Sequence, residues 1–248
     1  MKLVEFFNEK NRFNSLKNKY EALCSEKDMH FELVGKDSKN NDIFYCKKTI
    51  GSDKPNVAIL SGLHGNEPGG PYGVIDFLKN YDSFDVCNLF IMPIMNPHGF
   101  NRHIRRDANQ SDLNRQWDEN NTKLIKTLKK LFKKQKFDFV LSLHEDDSAD
   151  GFYIYGGRLI GIDSLKWIAE ILATHIKPIS DGEIYGDPVY GGIVEANDEK
   201  KPKHFKSLEF FFDKINVPNL TLELPGNLKL EKRIETYSEF LRKFMDLL

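Results

Sequence analysis

Four apolar runs, each short enough to be a strand and each ending in a residue that can do chemistry, constrain this chain most. NVAILSGL (56–63) leads into His64 and Glu67, VCNLFIMPIM (86–95) into Asn96, FDFVLSL (137–143) into His144, and VPNLTLEL (217–224) carries Glu223. Between them, residues 69–80, 122–134 and 163–176 place apolar side chains at helical intervals, and residues 229–248 close the chain in the same way. Strands that alternate with amphipathic helices bury both sheet faces, so the expected fold is α/β, a layered sandwich around a largely parallel or mixed sheet. Upstream, HFELVG and DIFYCKKTI read as two strands joined by the turn-rich KDSKNN, a hairpin suited to a sheet edge. Leu3, Phe6, Phe7, Phe13 and Leu16 give the first segment a helical pattern.

At 248 residues and 40% apolar content, the chain can bury a sizeable core within one domain spanning 1–248, and no linker or repeat divides it. Lys+Arg at 36 against Asp+Glu at 37 leaves a net charge of −1, which argues against nucleic acid or an anionic membrane as partner. The lysines of LKKLFKKQKF fall between regularly spaced apolar residues and read as the solvated face of a helix. No apolar run approaches the roughly 20 residues of a membrane-spanning helix. Glu5, Glu9, Lys10 and Arg12 interrupt the N-terminus before a signal-peptide core can form. Three widely spaced cysteines, Cys24, Cys46 and Cys87, fit reduced thiols, and the expected location is cytoplasmic. Oligomeric state is not legible.

In an open α/β sheet the ligand crevice lies outside the carboxyl ends of the strands, so the four strand ends converge on one place. Two imidazoles and one carboxylate are a common ligand set for catalytic zinc, and the short turn after His64 returns Glu67 toward the same ion. His144 completes that set from a distant strand. A bound zinc ion needs a base beside it, and Glu223, at the end of its own strand, is the candidate. The long segment NPHGFNRHIRRDANQSDLNRQW (96–117) carries Arg102, Arg105, Arg106 and Arg115, guanidinium groups suited to carboxylates and oxyanions. A structureless connection of this length is commonly functional.

HGNE, NPHGF, RRDANQSDLNR, LSLH and LELP, in that order, resemble the M14 family of zinc carboxypeptidases, from about Val57 to Glu223. The resemblance implies a three-layer sandwich with a mixed, roughly eight-stranded sheet and one zinc ion on His64, Glu67 and His144. It implies Glu223 as general base, Arg105 as oxyanion stabiliser, and Asn114 with Arg115 as the pair that holds a free substrate carboxylate. Asn66 stands where the digestive carboxypeptidases carry arginine, and HGNE is similar to the aspartoacylase and succinylglutamate desuccinylase branch. NPHGF and the arginine loop resemble the peptidase branch, and the chain's size resembles the compact murein peptide amidases. The implied substrate is a peptide or an N-acyl amino acid with a free carboxylate. Three activities stay open: C-terminal amino acid release, N-acyl-amino-acid deacylation and murein peptide amidation. Tyr190 and Tyr185 both compete for the family's substrate-loop tyrosine. Glu145, Asp146 and Asp147, beside the third ligand, could attract a substrate amine or orient an imidazole.

Overall fold

The computed structural model describes residues 12–118, 122–195, 206–246 and 248. The expected helical positions Leu3, Phe6 and Phe7 lie outside them. Among the described residues ten strands form one sheet: β1 His30–Lys36, β2 Asp42–Lys48, β3 Asn56–Ser61, β4 Asn88–Met92, β5 Phe139–Asp146, β6 Tyr153–Gly156, β7 Gly182–Ile184, β8 Asp187–Tyr190, β9 Ile193–Val194 and β10 Asn219–Pro225. The helices are α1 Arg12–Glu26, α2 Gly69–Asn80, α3 Pro97–Arg102, α4 Lys123–Gln135, α5 Ile162–Ala173, α6 Leu208–Lys214 and α7 Leu230–Met245. A 3₁₀ turn spans Leu113–Arg115.

The sheet order is β1-β2-β4-β3-β5-β10-β6-β9-β8-β7. Its centre is parallel, β3 pairing with β4 on one side and β5 on the other, and β5 with β10. Antiparallel pairs flank this core, including the β1–β2 hairpin at one edge. The sheet has ten strands where about eight were expected. The additions arise because β7, β8 and β9 are only two to four residues long.

Alternation within the strands builds the three layers. Val57, Ile59, Leu141, Leu143, Leu220 and Leu222 face one side, where α1, α2, α5 and α7 pack. Ala58, Leu60 and Val140 face the other, covered by Ile125, Leu128 and Phe132 of α4 and by Phe211 and Phe212 of α6. Each buried aliphatic or aromatic side chain contributes about 1.5–3 kcal/mol, so both layers are needed to hold the sheet.

The chain leaves β3 for β4 on one side and returns to β5 on the other. The gap between the carboxyl ends of β3 and β5 is therefore a topological switch point, where loops diverge and leave a crevice. On the α4–α6 side, the outward series Val140, Ser142, His144 and the series Asn219, Thr221, Glu223 run from the apolar layer into polar side chains. The fold thus places its polar residues at that crevice.

A candidate metal centre

His64 follows β3, Glu67 lies three residues on, and His144 sits in β5. Ligand atoms of these three buried side chains lie within 4.8 Å of one another, a group able to hold a metal ion. Glu67 stands between the imidazoles: Oε1 is 2.5 Å from His64 Nδ1 and Oε2 is 2.9 Å from His144 Nδ1. Burial opposes the charge on Glu67, but the two imidazoles outweigh it and hold its carboxyl below the usual carboxylate range. In return, and against burial, Glu67 raises both histidines. Two ring nitrogens and a carboxylate, buried and converging, are a donor set that suits zinc.

Backbone packing sets this geometry. A Cβ on Gly65 would come within 2.0 Å of the Gly99 carbonyl carbon, so only glycine lets the His64–Glu67 turn press against α3. Gly62 takes φ +61 just before it. Asn96, one of the polar strand-end residues, has a structural part. Its Oδ1 accepts from Gly99 N as the α3 N-cap, and its Nδ2 donates to the Arg105 carbonyl. Asn96 thereby fixes the backbone that presents Arg105.

Arg105 reaches the site. Its Nη1 is 3.2 Å from His64 Nδ1 and 3.8 Å from Glu67 Oε1, and its Nε donates to Asp112 Oδ2 at 3.0 Å. Asp112 escaped the sequence reading although it precedes Leu113-Asn114-Arg115. Its Oδ1 lies 3.4 Å from His64 Nε2, and His64 with Arg105 holds its carboxyl well below the usual range despite burial.

Glu223 lies directly across from His144 in the parallel β5–β10 register. Burial raises its carboxyl above the ordinary range, against the pull of His144 and with the help of Glu67. Asn114 is buried and turned inward: Oδ1 accepts from Leu208 N at 2.8 Å, and Nδ2 donates to Glu209 Oε2 at 3.4 Å. Arg115 is exposed and donates through Nη1 to the Asn114 carbonyl. Glu209, unremarked in the sequence, also faces His144 Nε2 at 3.9 Å.

The acidic run after His144 is divided among separate tasks. Glu145 points to the opposite face and pairs with Arg233 at 2.5 Å, while burial pushes its carboxyl up to about 8 against that pairing. Asp146 accepts from Ser148, Tyr153 and Tyr185. Asp147 alone of the three is exposed. Both competing tyrosines are exposed; Tyr185 has a strained φ of +50 and donates its hydroxyl to Asp146 at the end of β5, and Tyr190 ends β8.

The fold is that of the metallocarboxypeptidase structures. A metallopeptidase candidate from Shewanella amazonensis SB2B superposes with a TM-score of 0.84 at 21% identity, covering 96% of this chain and 94% of its own. The metallo-carboxypeptidase of Pseudomonas aeruginosa, solved with (2-guanidinoethylmercapto)succinic acid, gives 0.70 at 17% identity over 93% of this chain and 68% of its own. Murein-tripeptide amidase MpaA of Escherichia coli O157 gives 0.64 at 16%, over 87% and 91%. Within that architecture, residues 53–171 match the succinylglutamate desuccinylase/aspartoacylase catalytic domain, the stretch that includes His64, Glu67 and His144. The resemblance to zinc carboxypeptidases drawn from the motifs therefore holds. No curated protein matches in sequence. Among the described residues, no helix is long and apolar enough to cross a membrane.

Proposed function

We propose that this chain is a zinc-dependent hydrolase that cleaves an amide bond next to a free carboxylate, releasing a C-terminal amino acid from a peptide. The observation that carries the reading is the convergence of His64, Glu67 and His144 with Glu223 in register beside His144. Zinc in that set would lower the pKa of a bound water to about 7 and act as a Lewis acid on the scissile carbonyl. Glu223 takes the proton of the attacking water and passes it to the leaving amine, a task its raised carboxyl suits near neutral pH. Arg105, fixed by Asp112, directs a guanidinium at the developing oxyanion. Asn114 and Arg115 anchor the substrate carboxylate; one Asn114 N–H is engaged by Glu209, and its amide has a second to offer.

The catalytic-domain match over residues 53–171 favours a second reading, hydrolysis of an N-acyl amino acid. Murein tripeptide is a third substrate to include. A panel of free-carboxylate peptide, the same peptide amidated at its C-terminus, murein tripeptide and N-acylated aspartate, run on metal-quantified protein, separates these. The peptidase reading expects turnover of the first and loss on amidation; turnover of N-acylated aspartate alone would replace it with the deacylase. We read residues 1–248 as one catalytic domain, and three buried, unpaired cysteines support a cytoplasmic location.

A further inference from the structure

Both imidazoles turn Nδ1 toward Glu67 and therefore turn Nε2 away from it. A neutral imidazole that offers Nδ1 to a cation keeps its proton on Nε2, and that buried N–H needs an acceptor. For His64, Asp112 Oδ1 stands ready at 3.4 Å. For His144, Nε2 is buried with no hydrogen-bond partner among the described residues, and so is Glu209 Oε1. These two atoms face each other across 3.9 Å.

We propose that Glu209 is the positioning residue of His144: its carboxylate accepts the Nε2 proton, fixes the tautomer that frees Nδ1, and holds the ring on the metal site. The inference rests on the metal-binding reading above. Local structure fits the task. Ser207 caps α6 by accepting from Phe210 N, which fixes the first turn where Glu209 sits. Asn114 Nδ2 holds the other carboxylate oxygen at 3.4 Å, so Oε1 is left for His144. The Glu209 side chain is 21% exposed as a whole, whereas Oε1, the oxygen that faces His144, is buried. The pattern is a pair: one acidic side chain from the arginine loop for His64, one from α6 for His144.

The test measures zinc dissociation constants by chelator competition for the parent, Glu209→Ala and Glu209→Gln, together with unfolding midpoints of the metal-free proteins. Glu209→Ala is expected to weaken zinc binding about 10–100-fold. Its metal-free midpoint should match the parent's, and Glu209→Gln, which keeps an acceptor oxygen, should fall between the two in affinity. An alanine variant that binds zinc as tightly as the parent overturns the inference alone. So does one whose metal-free form is destabilised in proportion, because the loss would then be structural. A parent that binds no divalent ion overturns the metal reading with it.

Discussion

Glu223 and His144 occupy opposed positions on neighbouring parallel strands, so the candidate base and the third candidate ligand are held by sheet hydrogen bonds and not by a loop. Rigid placement of this kind keeps a proton-transfer group within reach of the reacting atoms. Removing its ability to take a proton should therefore cost turnover while leaving metal binding intact. Glu223→Gln is expected to retain one zinc per chain and to lose about 10²–10⁴ in kcat. Metal analysis and steady-state kinetics on the same preparation check this; parent-like turnover would remove Glu223 from the mechanism.

Arg105 does two things at once, donating through Nε to Asp112 and directing Nη1 at the site. A lysine has a single charged nitrogen and cannot do both. Arg105→Lys should thus fail to rescue Arg105→Ala, each losing about 10²–10³ in kcat. Restoration by lysine would show that charge alone suffices.

The proposed ligand set, His64, Glu67 and His144, should also contribute to stability, because an ion that binds only the folded chain stabilises it by about 2.7 kcal/mol at a concentration 100 times its dissociation constant. Adding zinc to metal-free protein is expected to raise the unfolding midpoint, and the shift should vanish in His144→Ala. Differential scanning of the two proteins with and without zinc reads this directly.

Behind the site, Arg233 of α7 pairs with the buried Glu145, and the Tyr237 hydroxyl donates to the His144 carbonyl, so α7 braces the strand that carries His144. Removing Arg233 leaves the buried Glu145 carboxyl, which burial already pushes up to about 8, without that donor. Arg233→Met is expected to cost about 1–3 kcal/mol in urea denaturation, and the double variant with Glu145→Leu to recover much of it. A double variant no more stable than the single one would contradict that account.

Asp42 joins β1, β2 and α1 through Lys17 at 2.5 Å and Lys36 at 2.9 Å, and Lys17 first, then Lys36, lowers its carboxyl below the usual value. A carboxylate whose folded pKa is depressed contributes stability above its unfolded value of about 3.9 and loses it as pH falls through the folded value. Asp42→Asn should accordingly unfold with a shallower decline below about pH 4 than the parent. Identical acid limbs would assign the effect elsewhere.

How much of the fold and site is legible in the sequence depends on what each residue's position rests on. β3 announces itself by an unbroken apolar run, β5 by its Phe139–Leu141 run and β10 by alternating leucines, and the expected helix over residues 69–80 has the observed bounds of α2, Gly69–Asn80. β8 alternates buried and exposed over only four residues, and β9 has two, too little for a period to register. Helix α3 hides in a polar loop although Asn96 and Pro97 are a recognisable N-cap and first-turn pair. His64, Glu67, His144 and Glu223 stand at strand ends and could be named. Glu209 could not, since its importance comes from α6 crossing the sheet face above His144, a tertiary fact with no local signature. Asp146 looked free to meet a substrate; three hydroxyl-bearing neighbours occupy it instead.

The most direct measurement is a zinc titration of metal-free protein, following hydrolysis of a peptide with a free C-terminal carboxylate. Turnover should rise in proportion to added zinc and level off at one equivalent per chain. Hydrolysis that is independent of zinc, or absent at every ratio, would contradict the account.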